Sequence, residues 1–195
     1  MIDSVTVAHL FSKAYERSDL ERSDLRAVGI EIYGEDEAGN EDERISRWRV
    51  LIALGTLHRL GQLDSESNIL TAGEVARGAA DWLGARTKSV LSVEGEPVSL
   101  EHGDGIFDAI IWAPSGSRAP QRESAHMAAL ELCRVLKPGR AASITIPLGD
   151  SADGQGAEDL RDALLERATW AISNPLPSVS DAPFLHLLLV KPLYH

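Results

Sequence analysis

The chain is poor in the residue types that several classes of protein need. It has one cysteine in 195 residues, Cys133, so it cannot form an internal disulfide. Aromatic residues make up 5% of the composition, and 19 basic side chains stand against 30 acidic ones, for a net charge of −11. Because a chain this acidic is repelled by phosphate backbones, we do not expect nucleic acid as a partner.

Long apolar runs and familiar catalytic motifs are also missing. No run reaches the roughly 18 residues that a membrane-spanning helix needs, and the first residues lack the basic and apolar regions of a signal peptide. We therefore expect no membrane partner and a cytoplasmic location. The sequence also contains no serine nucleophile elbow, phosphate-binding loop or zinc-ligand spacing. Residues 31–43 are rich in acids without the ligand spacing of an EF-hand, which predicts an exposed loop rather than a calcium site.

What the sequence does contain is an alternation of strand and helix patterns. Short apolar runs predict strands over residues 68–73, 89–94, 107–112, 142–146 and 184–192. Helical periodicity predicts helices over 4–17, 45–60, 75–83, 125–136 and 158–171. This order predicts an α/β fold built on a parallel sheet. We divide the chain into an N-terminal helical and acidic-loop extension, 1–44, and an α/β domain, 45–195.

The predicted helix at 125–136 ends in an unusually specific way. Its expected buried face carries four apolar residues at helical steps, Met127, Leu130, Cys133 and Leu136. Glu131 and Arg134 are left for the solvent side. Lys137-Pro138-Gly139 then predicts the end of the helix and a tight turn, since proline cannot continue a helix and glycine tolerates a left-handed residue.

The stretch from Leu100 to Pro147, taken as a whole, resembles the second half of class I S-adenosylmethionine-dependent methyltransferases. That family reads L-P-F-x-D-x-S-F-D and later R-V-L-K-P-G-G; here four residues match the first motif, Leu100, Asp104, Phe107 and Asp108. The run from Arg134 to Gly139 matches the second, with Arg140 at the second glycine. The resemblance implies a Rossmann-like sheet with an antiparallel last strand and S-adenosylmethionine as cofactor. It also implies methyl transfer, with a small molecule or a glycan as the acceptor.

The family's cofactor-binding turn, acid-x-G-x-G-x-G, is only partly present. Aligned on this chain, the acid falls at Thr71, the first glycine at Gly73, and the other two glycines at Val75 and Arg77. The resemblance assigns cofactor contacts to Thr71, Ala72, Gly73 and Asp108. The sequence therefore predicts a degenerate cofactor site.

The distance from this turn to the next recognisable strand is short. Gly73 and Phe107 are 34 positions apart, which predicts a domain that lacks about one strand–helix unit of the family. If 89–94 is the second strand, the resemblance makes Glu94 the ribose-binding acid. If it is the third strand, Glu96 is the adenine-contacting acid. The sequence leaves both open.

Few residues stand out as catalytic. His102 and His126 are candidate general bases at the carboxyl ends of parallel strands, and Trp112 and Ser115 are candidates to border the acceptor. Two functions follow. The chain is a methyltransferase, or it is a methyltransferase-like subunit that has lost catalysis and serves as a binding protein, through a protein partner or a homodimer.

Overall fold

The computed structural model describes residues 12–34, 40–73, 79–114, 122–148, 161–162 and 182–193. Six described strands form one sheet in the order β1-β6-β5-β4-β2-β3. Their bounds are Lys13–Ala14 (β1), Asn68–Ala72 (β2), Ser89–Val93 (β3), Phe107–Trp112 (β4), Leu136–Pro147 (β5) and Phe184–Val190 (β6). Strands β2 to β5 are parallel, and β6 pairs antiparallel with β5. The predicted α/β class and the antiparallel last strand are confirmed.

Four α-helices with described bounds accompany the sheet. They are Ser23–Tyr33 (α1), Glu41–Arg59 (α2), Ala80–Gly84 (α3) and Arg122–Val135 (α4). Helix α2 begins four residues before the predicted start, because the Asn40 side chain accepts a hydrogen bond from the Glu43 N–H at 2.9 Å and caps it. The last part of the acid-rich stretch is thus the first turn of α2, where the helix dipole favours acids. Residues 35–39 of that stretch lie outside the described residues.

The N-terminal segment joins the sheet instead of forming the helix expected over 4–17. Within the described part of that range, Lys13 pairs with His186 and Ala14 with Leu185 as an antiparallel strand. Residues 1–11 lie outside the described residues. The prediction failed at Lys13 and Ala14 because the edge of β6 supplies backbone partners that no local periodicity could reveal.

Helix α4 buries a different face from the one predicted. Its buried residues are Ala125, Ala128, Ala129, Leu132 and Val135. Met127 and Leu130 are 49% and 42% exposed, and Cys133 is only partly buried. The small alanine side chains form their own stripe at helical spacing and let the helix lie close to the sheet.

The residues after α4 correct another prediction. Strand β5 begins at Leu136 with no separate turn, so Lys137-Pro138-Gly139 belongs to the strand. The register between β4 and β5 shifts here, from Phe107↔Leu136 to Ala109↔Ala141, so these residues form a bulge. Gly139 has φ +75°, and its N–H donates to the Lys191 carbonyl at 2.8 Å.

Between Gly73 and Phe107 the structure has the shortened form that the sequence predicts. The described residues 79–106 hold one short helix and one strand, and they connect β3 to β4 by an irregular loop. The predicted helix over 75–83 is described from residue 79, with α3 beginning at Ala80, and the one over 158–171 is described only at residues 161–162. Among the described residues, no helix has the length and apolar character needed to cross a membrane. The same residues contain no cluster of three or more potential metal ligands.

Candidate functional site

The chain reverses its direction of winding beside β2. From β2 it passes to β3 on one side, and then to β4 on the other side of β2. In open parallel sheets such a switch point leaves a crevice at the carboxyl ends of the strands, where ligands bind. We call this side of the sheet the carboxyl edge and the opposite side the amino edge.

Gly73 follows β2 directly at the carboxyl edge. It has φ +87°, a conformation that favours glycine. Its N–H donates to the Val93 carbonyl at 3.1 Å, while the Ala113 N–H donates to the Ala72 carbonyl at 3.0 Å. A Cβ at Gly73 would collide with the Ala113 carbonyl oxygen. Backbone from β3 and β4 therefore closes around a residue that has to be glycine.

The pairing of β3 decides which of the two acids lies at the site. Strand β3 pairs directly with β2, from Asn68↔Ser89 to Ala72↔Val93, so it occupies the second-strand position. Glu94 follows β3 and is exposed beside Gly73, and Glu96 lies two residues further along the loop. The structure therefore brings Gly73 and Glu94 together and favours Glu94 over Glu96.

Thr71 holds the position where the family has an acid. Its hydroxyl lies 2.9 Å from the Ser92 hydroxyl and donates to the Leu91 carbonyl at 3.4 Å. Thr71 and Ala72 are both buried in the sheet, so a neutral pair of hydroxyls stands where a charge would be. Val75, Arg77 and Ser115 lie outside the described residues.

Arg49 on α2 is a residue of this edge that the sequence analysis did not single out. It is 5% exposed, and its guanidinium donates to the Pro114 carbonyl at 2.6 Å and to the Thr145 hydroxyl at 3.2 Å. The same group lies 4.5 Å from the centre of the Phe184 ring. It fixes the backbone that leaves β4, next to Gly73. A cation inside the apolar run from Trp48 to Leu54 was the signal available in the sequence.

Trp112 ends β4 but does not border open space. The side chain is fully buried in the core with α4, and its indole N–H has no hydrogen-bond partner within the described structure. The burial of the Trp112 side chain therefore argues against the prediction that this residue borders the acceptor.

Asp108 lies at the amino edge, away from Gly73. Its carboxylate accepts from the Asn68 N–H at 3.0 Å and from Lys137 at 2.7 Å, and it lies 3.2 Å from Arg140. These contacts join the starts of β2, β4 and β5. The structure corrects the assignment of Asp108 to the cofactor and gives it a structural role.

The two candidate histidines lie on opposite sides of β4 in the chain. His126 is in the second turn of α4, the helix that follows β4 in the chain. His102 precedes β4 at the amino edge, where its ring packs 5.7 Å from the Phe107 ring. Of the two histidines, only His126 follows the carboxyl end of β4 in the chain, and His102 is removed from the candidate catalytic residues.

Glu131 and Arg134 tie the loop before β4 to the end of α4, although the sequence predicted that they face solvent. Arg134 donates to the Leu100 and His102 carbonyls at 3.1 and 2.7 Å, and to Asp104 at 2.7 Å. It also bonds both carboxylate oxygens of Glu131, at 2.6 and 2.9 Å. The arginine of R-V-L-K-P-G thus organises a loop at the amino edge.

This network gives a prediction for acid stability. The Arg134 hydrogen bonds, helped by the Leu100 N–H, hold the pKa of Glu131 below its ordinary value of 4.5. The stabilisation is complete above the unfolded-state pKa and is lost as the pH falls through the lowered folded-state pKa. We expect wild type to be more stable than Glu131→Gln at neutral pH, with a difference that shrinks below about pH 4. Urea titrations at several pH values measure it.

The exposed Glu101 provides the control for this pH dependence. Because Glu101 is exposed, Glu101→Gln should leave the free energy of unfolding at neutral pH close to wild type. A Glu131→Gln variant with the same pH slope as wild type would contradict the assigned role of the carboxylate.

Comparison with known proteins bears on the fold. The sequence matches no protein-family model, and no curated protein matches it. The [4+2]-cyclase SpnF superposes with a TM-score of 0.52 at 17% identity, covering 93% of this chain and 98% of that one. A TehB-like SAM-dependent methyltransferase from Corynebacterium glutamicum superposes with a TM-score of 0.50 at 16% identity, covering 90% of this chain and 100% of that one. A protein from Pyrococcus horikoshii superposes with a TM-score of 0.50 at 12% sequence identity, covering 78% of this chain and 92% of that one.

The fold is that of the class I methyltransferases. In open α/β sheets ligands bind at the switch point, and in this chain Gly73 and Glu94 lie at that position. The structural neighbours nevertheless carry different names, one a methyltransferase and one a cyclase. Because one fold supports several chemistries, the reaction depends on the residues of the site and does not follow from the fold.

Proposed function

We propose that the protein binds S-adenosylmethionine at the carboxyl edge and transfers its methyl group to a small molecule or a glycan. The observation that carries the proposal is that Gly73 and Glu94 lie side by side at the switch point. The Gly73 N–H donates a hydrogen bond to the carbonyl of Val93, the residue before Glu94. The name of the Corynebacterium glutamicum neighbour agrees with it.

Among the described residues of the turn, the exposed Glu94 carboxylate is the group that suits the nucleoside half of this cofactor. Gly73 is buried, and the space left by its missing side chain is taken by the Ala113 carbonyl, so Gly73 shapes the turn after β2 and the proposed ligand contact falls to Glu94. Glu94 offers an exposed carboxylate at the end of the neighbouring strand, and a carboxylate in this position accepts hydrogen bonds from the ribose hydroxyls. When bound, the cofactor supplies an activated methyl group.

The remaining tasks fall to residues near the same edge. Glu94 orients the nucleoside. Arg49 holds the Pro114 carbonyl and so fixes the backbone that faces Gly73. His126, in the second turn of α4, is the residue that we propose as the base for a proton leaving the acceptor.

Calorimetric titration with S-adenosylhomocysteine, the demethylated product, tests the binding step. Glu94→Gln removes the charge that strengthens two hydrogen bonds, so the Kd should rise about 10- to 100-fold. Glu96→Gln changes an exposed acid two positions away and should stay within about twofold of wild type. Equal weakening by both variants would contradict the assignment of Glu94.

A second candidate function rests on Thr71. A neutral hydroxyl bonded to Ser92 replaces the acid of the family's turn, which favours a methyltransferase-like subunit that has lost catalysis. In that case the wild-type protein should form no S-adenosylhomocysteine when it is supplied with S-adenosylmethionine and small-molecule or glycan acceptors, whether or not it binds the cofactor. Methyl transfer by wild type and its loss in Glu94→Gln would reject this second candidate.

A further inference from the structure

The shortened domain leaves β3 at the end of the described sheet. Its one neighbour in the strand order is β2, and no described strand pairs with its outer side. Ser89 and Ser92 are exposed, and Val90, Leu91 and Val93 are partly buried. The strand reads S-V-L-S-V, without a charge, a proline or a bulge. Edge strands usually carry such features because they prevent pairing with other chains.

The hydrogen-bond pattern shows which backbone groups face outward. The Leu91 carbonyl accepts from the Thr71 hydroxyl, and the Val93 carbonyl accepts from the Gly73 N–H, so both carbonyls face β2. In a parallel pair, alternate residues bond to opposite sides. Val90 and Ser92 therefore direct their N–H and carbonyl groups to the outer side.

The charged residues at the two ends of β3 are complementary to those of a second, antiparallel copy of the strand. Lys88 precedes the strand and Glu94 follows it, and both are exposed. An antiparallel copy centred on Leu91 places Val90 opposite Ser92, both with outward-facing amides. The same register places Lys88 of each chain opposite Glu94 of the other. A parallel copy in register would instead place like charges together.

We propose that the outer edge of β3 pairs antiparallel with the same edge of a second copy of this chain, around a two-fold axis at Leu91. The pairing makes one continuous sheet through the dimer, with two Lys88–Glu94 pairs at its ends. Because the shared strand is only five residues long, the interface is small. We expect a reversible dimer in the micromolar range or weaker.

Sedimentation equilibrium over micromolar to sub-millimolar protein concentrations tests the dimer. Val90→Pro removes an outward N–H, which an edge strand tolerates, and should abolish the dimer while leaving Glu94 intact. Lys88→Glu should raise the dimer Kd about tenfold or more, and Lys88→Glu with Glu94→Lys should restore it. Circular dichroism and thermal unfolding confirm that each variant is folded.

Hydrogen exchange locates the interface independently of these variants. The amides of Val90 and Ser92 should become more protected as the protein concentration rises, and the exposed loop residue Val98 should not change. A wild-type protein that stays monomeric throughout, or a dimer that Val90→Pro leaves intact, would overturn the proposal. Glu94 belongs to both proposals, but Val90→Pro leaves it unchanged, so calorimetric titration of this variant with S-adenosylhomocysteine shows whether cofactor binding holds without the dimer and separates the two failures.

Discussion

Replacing Gly73 with alanine is expected to lower the free energy of unfolding by about 2–5 kcal/mol. The residue has φ +87°, and a Cβ there collides with the Ala113 carbonyl oxygen. That carbonyl has little freedom to move. The Ala113 N–H is bonded to Ala72, and Arg49 holds the Pro114 carbonyl at 2.6 Å. The melting temperature should fall by about 5–15 °C.

Gly84→Ala is the matched control for this change. Gly84 ends α3, and a Cβ added there meets nothing within 4 Å. Alanine at this position should be neutral or stabilise by up to about 1 kcal/mol, because alanine favours the helical conformation. Thermal and urea unfolding of both variants measure the difference. Equal stability of Gly73→Ala and Gly84→Ala would contradict the close packing around Gly73.

Replacing Asp108 with alanine should cost about 2–4 kcal/mol of stability. The buried carboxylate accepts from the Asn68 N–H and from Lys137, and Arg140 lies 3.2 Å away. Its removal leaves two cations facing each other and an N–H without its acceptor. The starts of three parallel strands lose their shared contact, so we expect early unfolding of the amino edge in hydrogen exchange.

Asp104→Ala is the comparison for this second prediction. The Asp104 side chain is 80% exposed and pairs with Arg134 at the same edge, and an exposed ion pair contributes at most about 1 kcal/mol. Asp108→Asn keeps an acceptor without the charge and should fall between the two. If Asp108→Ala lowers the free energy of unfolding by no more than Asp104→Ala does, the contacts of the Asp108 carboxylate do not hold the starts of the strands together.

The sequence predicted β2, β3 and β4 well because parallel strands are short, continuous apolar runs, but it missed β1 and began β5 six residues late. Phe107–Trp112 was predicted at its observed bounds, and the strands at 68–73 and 89–94 each to within a residue. The sequence could not say whether 89–93 was the second or the third strand. That choice depends on long-range pairing with β2, which leaves no local pattern.

The helix before β5 shows where periodicity misleads. Both the stripe of Met127 and Leu130 and the stripe of alanines have helical spacing, and hydrophobicity alone favoured the larger side chains. The structure buries the alanines, since close packing against a sheet rewards small residues. Arg134 was expected in solvent, because its acceptors at Leu100 and His102 are backbone carbonyls about thirty residues away.

The candidate site was predicted in part. The turn at Gly73 came from the motif and is confirmed as a tight, left-handed residue. Glu94 was one of two alternatives, and strand pairing favours it. Asp108 and His102 were misplaced although both come at or before the start of β4, where the order of the sequence already indicated the amino edge. The role of Arg49 could not be predicted because it depends on long-range contacts from α2 to Pro114 and Thr145, and no sequence motif indicates these contacts.

The most direct test of the account is a crystal structure of the protein with S-adenosylhomocysteine. We expect the nucleoside in the crevice at the carboxyl edge, beside Gly73, with the ribose hydroxyls within hydrogen-bonding distance of the Glu94 carboxylate. Crystals grown at saturating ligand that show the nucleoside away from Glu94, or no ligand in the crevice, would contradict it.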